Sequence, residues 1–301
     1  MFESIVETAW DQHVGSISRC ELGPRILLAF AALSIYLRHM NTLKVTLVQA
    51  ALVWHDAAAN RRKFETLLAP LAGQTDLVAL PEMFTTGFTM QPETAAEIAD
   101  GPTVDWMREQ ASKLGAVVAG SIATRDAGQY FNRLVWMRPE GTYQTYDKRH
   151  LFRMAHEHDH YTAGTRRVIV DIKGWKVRPL VCYDLRFPVW SRNQPGTEGA
   201  YDLLLYVANW PERRRYAWQT LIKARAIENL SYCVAVNCVG RDGNGISYTG
   251  DSAAVDFLGQ LMTEPSEQEL VTTVTLDRAA LQAFRDKFPA HLDADEFQLP
   301  A

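Results

Sequence analysis

The sequence predicts an α/β domain with helices lying outside packed sheets. Short β-branched or apolar runs alternate with stretches of helical periodicity, and no repeat or low-complexity linker interrupts residues 43–290. With 47% hydrophobic and 22% charged residues in 301, the chain can bury a sizeable core. Local pattern leaves two architectures open, a doubly wound sheet and a two-sheet sandwich.

The elements follow in order. Leu43 to Ala51 is β-branched-rich and reads as a strand. Asp56 caps a helix whose Phe64, Leu67, Leu68 and Leu71 fall at i, i+3, i+4 and i+7, with Pro70 weakening its last turn. Asp76 to Leu80 is a buried strand ending at Pro81-Glu82. Val104, Met107, Ala111 and Leu114 form a helical stripe stopped by Gly115. Strands are predicted at 116–123, 130–138, 142–147, 167–172, 175–182 and 202–208, then a helix buries Trp218, Leu221, Ile222 and Ala226. Strands at 232–239, 251–257 and 268–275 precede a last helix capped by Asp277 and stopped by Pro289.

Residues 1–39 read as an extension outside the catalytic domain of 40–301. The apolar run Ile26 to Tyr36 is 11 residues long, while a membrane span needs roughly 20. Glu3, Glu7 and Asp11 precede it, where a secretory signal wants basic residues. An amphipathic helix added to the domain is the alternative.

Charge and cysteine content narrow the function. Lys plus Arg number 31 and Asp plus Glu 35, a net charge of −4 with no global pull toward nucleic acid or anionic lipid. Arg61-Arg62-Lys63 and Arg213-Arg214-Arg215 read as solvated helix edges. Four cysteines are too few for a disulfide scaffold. Asp242-Gly243-Asn244-Gly245 lacks the distal Glu of a calcium loop, and no GxSxG, P-loop or GxGxxG occurs. A cytoplasmic globular enzyme is expected, with no nucleic-acid or membrane partner.

Cys182 is the sharpest chemical candidate. It ends the strand Val177–Cys182 and precedes a turn-like stretch, where backbone N–H groups and a helix N-terminus would favour the thiolate. A buried core cysteine is the alternative. Cys233 and Cys238 lie five apart in one strand, on opposite faces, and read as packing residues. His156-Glu157-His158-Asp159-His160 tempts as a zinc cluster, but lacks a Cys partner or HExxH spacing. It reads better as a solvated loop with one functional carboxylate. Glu82 and Lys148 each end a strand; taken singly, each is a rim residue or ion-pair partner as readily as a catalyst.

Together, Glu82, Lys148 and Cys182 resemble the Glu-Lys-Cys set of the nitrilase superfamily of carbon–nitrogen hydrolases. The flanks agree in Ala79-Leu80-Pro81-Glu82-Met83-Phe84, Tyr146-Asp147-Lys148 and Val181-Cys182-Tyr183-Asp184-Leu185-Arg186-Phe187-Pro188, and later in Ala208-Asn209-Trp210-Pro211. The likeness runs from about Leu43 to Phe297. Lys148-Arg149-His150-Leu151-Phe152 and the tail from Lys287-Phe288-Pro289 to Asp295-Glu296-Phe297 resemble the omega-amidase branch. Tyr183-Asp184 stands where true nitrilases carry Trp-Glu.

The resemblance implies a four-layer αββα sandwich, a homodimer, no metal and no organic cofactor. It implies that Glu82 is the general base, Cys182 the nucleophile and Lys148 an oxyanion partner with the Tyr183 N–H. Glu157, nine residues after Lys148, matches the family's second carboxylate, with Asp159 as its fallback. Phe84, Tyr183, Asn209 and Trp210 adjoin this site and are expected to shape a pocket for a small amide, while Arg186 is open to three roles: holding a substrate carboxylate, binding Asp184 or meeting a dimer partner. An N-carbamoyl hydrolase or nitrilase is the nearer alternative, and a silent binding or scaffold protein the distant one.

Overall fold

The computed structural model describes residues 41–295 and 297; the proposed extension, residues 1–39 with Cys20, lies outside the described residues. The first sheet contains β1 (Thr42–Gln49), β2 (Leu77–Ala79), β3 (Glu97–Ile98), β4 (Val117–Asp126), β5 (Gln129–Met137) and β6 (Tyr143–Asp147). The second contains β7 (Val170–Ile172), β8 (Trp175–Val181), β9 (Leu203–Val207) and β10 (Tyr232–Val236). A separate ribbon pairs β11 (Val239–Arg241) with β12 (Ser247–Thr249). β13 (Ala253–Val255) edges the second sheet and β14 (Leu270–Asp277) the first.

Strand direction decides where chemistry can gather. β1, β2 and β4 are parallel, and two antiparallel pairings through β5 return β6 to the same direction. β8, β9 and β10 are likewise parallel. The chain therefore leaves β2 and β6 at one end of the first sheet, the kind of edge where α/β sites form.

Alternation along the strands sets the layers. Val45 and Leu47 of β1 enter a core shared with Val177, Leu205 and Val234 of the second sheet, while Val48 faces the opposite side. That outer side is covered by α1 (Ala57–Leu68) and α2 (Pro102–Leu114), through Phe64, Leu68, Met107 and Ala111. α3 (Arg215–Asn229) buries Trp218, Ile222 and Ala226 in the core cluster that holds the second sheet. Each fully buried side chain of this kind stabilises by about 1.5–3 kcal/mol. The four layers are helix, sheet, sheet and helix, which resolves the choice in favour of the sandwich.

The predicted caps are present. The Asp56 carboxylate accepts the Ala59 N–H at 2.8 Å, Gly115 adopts a left-handed φ of 64°, and Asp277 accepts the Ala280 N–H at 3.1 Å ahead of α4 (Arg278–Lys287). One expectation changes: the strand read over 232–239 ends at Val236. Asn237 breaks it because its side chain bonds Trp210 N–H, Trp210 C=O and Gly250 C=O. No helix of the described residues is long and apolar enough to cross a membrane.

Candidate active site

Glu82 follows β2, Lys148 follows β6 and Cys182 follows β8, and the fold brings all three to one buried site. Glu82 Oε1 accepts from Lys148 Nζ at 2.9 Å and from Asn132 Nδ2 at 2.7 Å; Oε2 accepts the Asn209 N–H at 2.8 Å. Lys148 Nζ also donates to both Glu157 oxygens, at 3.0 and 2.9 Å. Glu157 in turn accepts the Phe152 N–H at 2.6 Å. Glu82 and Glu157 are wholly shielded from solvent.

Position depends on close backbone packing. Gly164 donates its N–H to the Lys148 carbonyl at 2.9 Å, and a Cβ there would lie 2.0 Å from the Asp147 carbonyl oxygen. Only glycine fits beside the strand end that aims the lysine. Met83 and Cys182 have φ of 40° and 43°, a strained region for residues with a Cβ. Asp184 fixes the turn that begins at Cys182, accepting from Val181 N–H (3.0 Å), Tyr146 O–H (2.7 Å) and His150 N–H (3.0 Å).

Electrostatics assign charge states. Burial alone would lower the Lys148 pKa, but Glu157 and Glu82 outweigh it and hold the ammonium well above the usual lysine range. Burial pushes the Glu157 carboxyl up, Lys148 opposes that and Glu82 reinforces it. The Cys182 thiol is raised well above its ordinary value by burial, then by the Glu82 charge, against the pull of Lys148. This corrects the expectation that the helix N-terminus favours a thiolate. The following 3-10 turn, Cys182–Arg186, is five residues long, too little to offset desolvation beside a carboxylate. Burial therefore favours the neutral thiol at Cys182.

A cavity of about 180 Å³ opens over Cys182, lined by Phe88, Met90, Phe152, Tyr183, Asn209 and Trp210. The Tyr183 N–H belongs to the first turn from Cys182, where leading N–H groups have no intrahelical acceptor. Asn209 also donates its side-chain N–H to the Glu82 carbonyl at 2.9 Å. Arg186 lines the wall with its guanidinium 5.0 Å from the Trp210 ring centroid.

Phe84 departs from expectation. The chain turns at Met83 and carries Phe84 back into the core against Phe64 and Trp106, at 5.4 and 5.7 Å between ring centroids. It does not line the cavity; Phe88 does. In the histidine-rich loop, Glu157 turns inward while His156 and Asp159 pair on the surface at 3.0 Å. Among the described residues, no group of three or more His, Cys, Asp or Glu converges as a metal site.

Asn132 escaped the sequence reading. Its Nδ2 bridges Glu82 and, at 3.3 Å, Glu157, and its carbonyl accepts the Lys148 N–H at 2.9 Å. The available signal was register: Asn132 shares a strand face with Leu134 and Trp136, both buried. Arg213 and Arg214 were read as a solvated helix edge, yet both line the cavity. A 3-10 turn at Glu212–Arg214 precedes α3 and re-aims them, while Arg215 pairs with Asp251 at 2.5 Å.

An αββα sandwich with a buried carboxylate–lysine–carboxylate set beside a thiol defines a class of hydrolase. The chain belongs to the carbon-nitrogen hydrolase family, whose family model matches residues 44–286. It is similar to omega-amidase YafV of Escherichia coli K12, at 49% identity over 261 residues, covering 86% of this chain and all of the relative. The 2-oxoglutaramate amidase of Bacillus subtilis is 30% identical over 252 residues, covering 83% of this chain and 96% of that protein. Among solved structures, XC1258 of Xanthomonas campestris, a CN-hydrolase superfamily protein with an arsenic adduct in its active site, superposes with a TM-score of 0.84. It is 54% identical, covering 86% of this chain and 99% of that one.

Proposed function

We propose that the protein is an omega-amidase, hydrolysing the terminal amide of a small omega-amido acid such as 2-oxoglutaramate to a carboxylate and ammonia. The observation that carries the reading is Cys182 lining a small cavity with the buried Glu82–Lys148–Glu157 set gathered beside it. The full-length likeness to omega-amidase YafV and to a 2-oxoglutaramate amidase supports the substrate class. Cavity size agrees: about 180 Å³ slightly exceeds the ~150 Å³ that accommodates benzene.

In this reading Glu82 takes the Cys182 proton as sulfur attacks the amide carbon. The resulting oxyanion is stabilised by the Lys148 ammonium and the Tyr183 N–H; one such donor is worth on the order of 10²–10³ in kcat. Glu82 returns its proton to the leaving nitrogen, ammonia departs and a Cys182 thioester remains. A water deprotonated by Glu82 attacks the thioester, releasing the acid and restoring the thiol. Glu157 orients Lys148 and keeps it charged. Arg186, Asn209 and Trp210 bound the substrate space.

We also propose a catalytic domain beginning at about residue 40, a homodimer and a cytoplasmic setting. Val189 and Ile227, exposed by 49% and 50%, provide apolar surface near the nucleophile turn and on α3 for self-association, and a reducing compartment suits a free-thiol nucleophile.

A substrate panel tests the function. Succinamate and 2-oxoglutaramate are expected to exceed an N-carbamoyl amino acid and an aliphatic nitrile in kcat/KM. Preference for either of the last two contradicts the omega-amidase reading.

A further inference from the structure

The cavity carries an excess of positive charge that the hydrolytic steps do not use. Arg186, Arg213 and Arg214 all line it, and among the described residues none is paired with a carboxylate, unlike the adjacent Arg215, which holds Asp251 and Glu267. Arg214 is the most enclosed of the three. Its Nη1 is buried without a hydrogen-bond partner, and its Nη2 reaches only the Met154 sulfur, a weak acceptor, at 2.9 Å. The guanidinium sits 4.8 Å from the Phe152 ring centroid, and the Arg214 carbonyl is tied down by the Trp210 indole N–H at 2.9 Å. Arg213 and Arg186 both repel its charge.

A half-buried guanidinium with unused donors, crowded by like charges, is poised for an anion. A carboxylate suits its planar fork and accepts two N–H bonds at once. We propose that Arg214 receives the distal carboxylate of the substrate, with Arg186 and Arg213 adding attraction at the mouth, and so selects monoamides of dicarboxylic acids over neutral amides. The assignment rests on the amidase reading above and adds the residue that sets specificity.

The phenylalanine and tryptophan faces beneath the arginines strengthen the argument. Arg214 lies over the Phe152 ring and Arg186 over the Trp210 ring, and these apolar faces lower the local dielectric, where a charge-assisted hydrogen bond gains strength. The two ends of the substrate then have separate partners: the amide at Cys182 and the carboxylate at Arg214.

The test compares succinamate with butanamide, in which a methyl group replaces the carboxylate, in the wild type, Arg214→Gln, Arg214→Lys and Arg213→Gln. The ratio of kcat/KM for the two substrates is expected to favour succinamate in the wild type and to fall about 100-fold in Arg214→Gln, chiefly through KM. Arg214→Lys keeps the charge without the fork and should give an intermediate ratio; Arg213→Gln should lower it less than Arg214→Gln. An unchanged ratio in Arg214→Gln, or an equal fall in Arg213→Gln, overturns the assignment to Arg214. A wild type that does not favour succinamate overturns the omega-amido acid reading itself, and the assignment with it.

Discussion

Lys148 donates to Glu82 at 2.9 Å with both side chains shielded from solvent, in a site that also holds the Glu157 carboxylate. One ammonium thus compensates two buried carboxylates. Removing a single partner from such a set leaves uncompensated buried charge, which typically costs 3–5 kcal/mol. Lys148→Met is therefore expected to lose roughly that much stability in urea unfolding and to lower kcat by at least about 10²-fold. Adding Glu157→Gln to Lys148→Met should restore part of the stability but not the activity. A Lys148→Met protein as stable as the wild type would show that the pair is not under this electrostatic stress.

Glu157 gives a pH dependence of definite sign. Its folded-state pKa lies above the ordinary 4.5, burial being the largest cause. Between that value and its folded pKa, the native state holds a proton that the unfolded chain releases, so this group's contribution falls as pH rises. Glu157→Gln removes the titration. The variant's unfolding free energy should decline less from pH 4.5 upward than that of the wild type, and parallel curves would contradict the assigned shift.

Asn132 supplies a neutral donor between two like charges. Its loss should leave folding largely intact but weaken the hold on Glu82, lowering kcat for Asn132→Ala about 10–100-fold. The loss is expected in kcat rather than KM, because Asn132 touches Glu82 and Glu157 and does not line the cavity. An Asn132→Ala enzyme with the kcat of the wild type would show that this bridge contributes nothing to the hold on Glu82.

The sequence revealed strand ends more readily than what lies between them. Pro81-Glu82 and Val181-Cys182 each end an apolar run and Asp147-Lys148 ends a predicted strand, so their side chains could be placed at a sheet edge from pattern alone. Glu157 emerged only through the family resemblance, which places a second carboxylate a few residues after the lysine. Asn132 lies inside a strand, where an asparagine reads as solvent-facing unless the opposite sheet is known to cover that face. Phe84 misled because the left-handed turn at Met83 reverses its direction, and nothing local announces that turn. Arg213 and Arg214 were hidden by a 3-10 turn that breaks the register of α3. The choice of a sandwich over a doubly wound sheet depended on long-range packing between Val45, Leu47 and the second sheet, which alternation within one strand cannot specify.

The covalent step is open to direct measurement. Enzyme mixed with succinamate and quenched in acid during turnover should carry a succinyl thioester, located by mass spectrometry on the peptide containing Cys182. Glu82→Gln and Cys182→Ser should not accumulate it. Continued ammonia release without any acyl group on Cys182, or with the acyl group on another residue, would contradict the role of the Glu82–Cys182 pair.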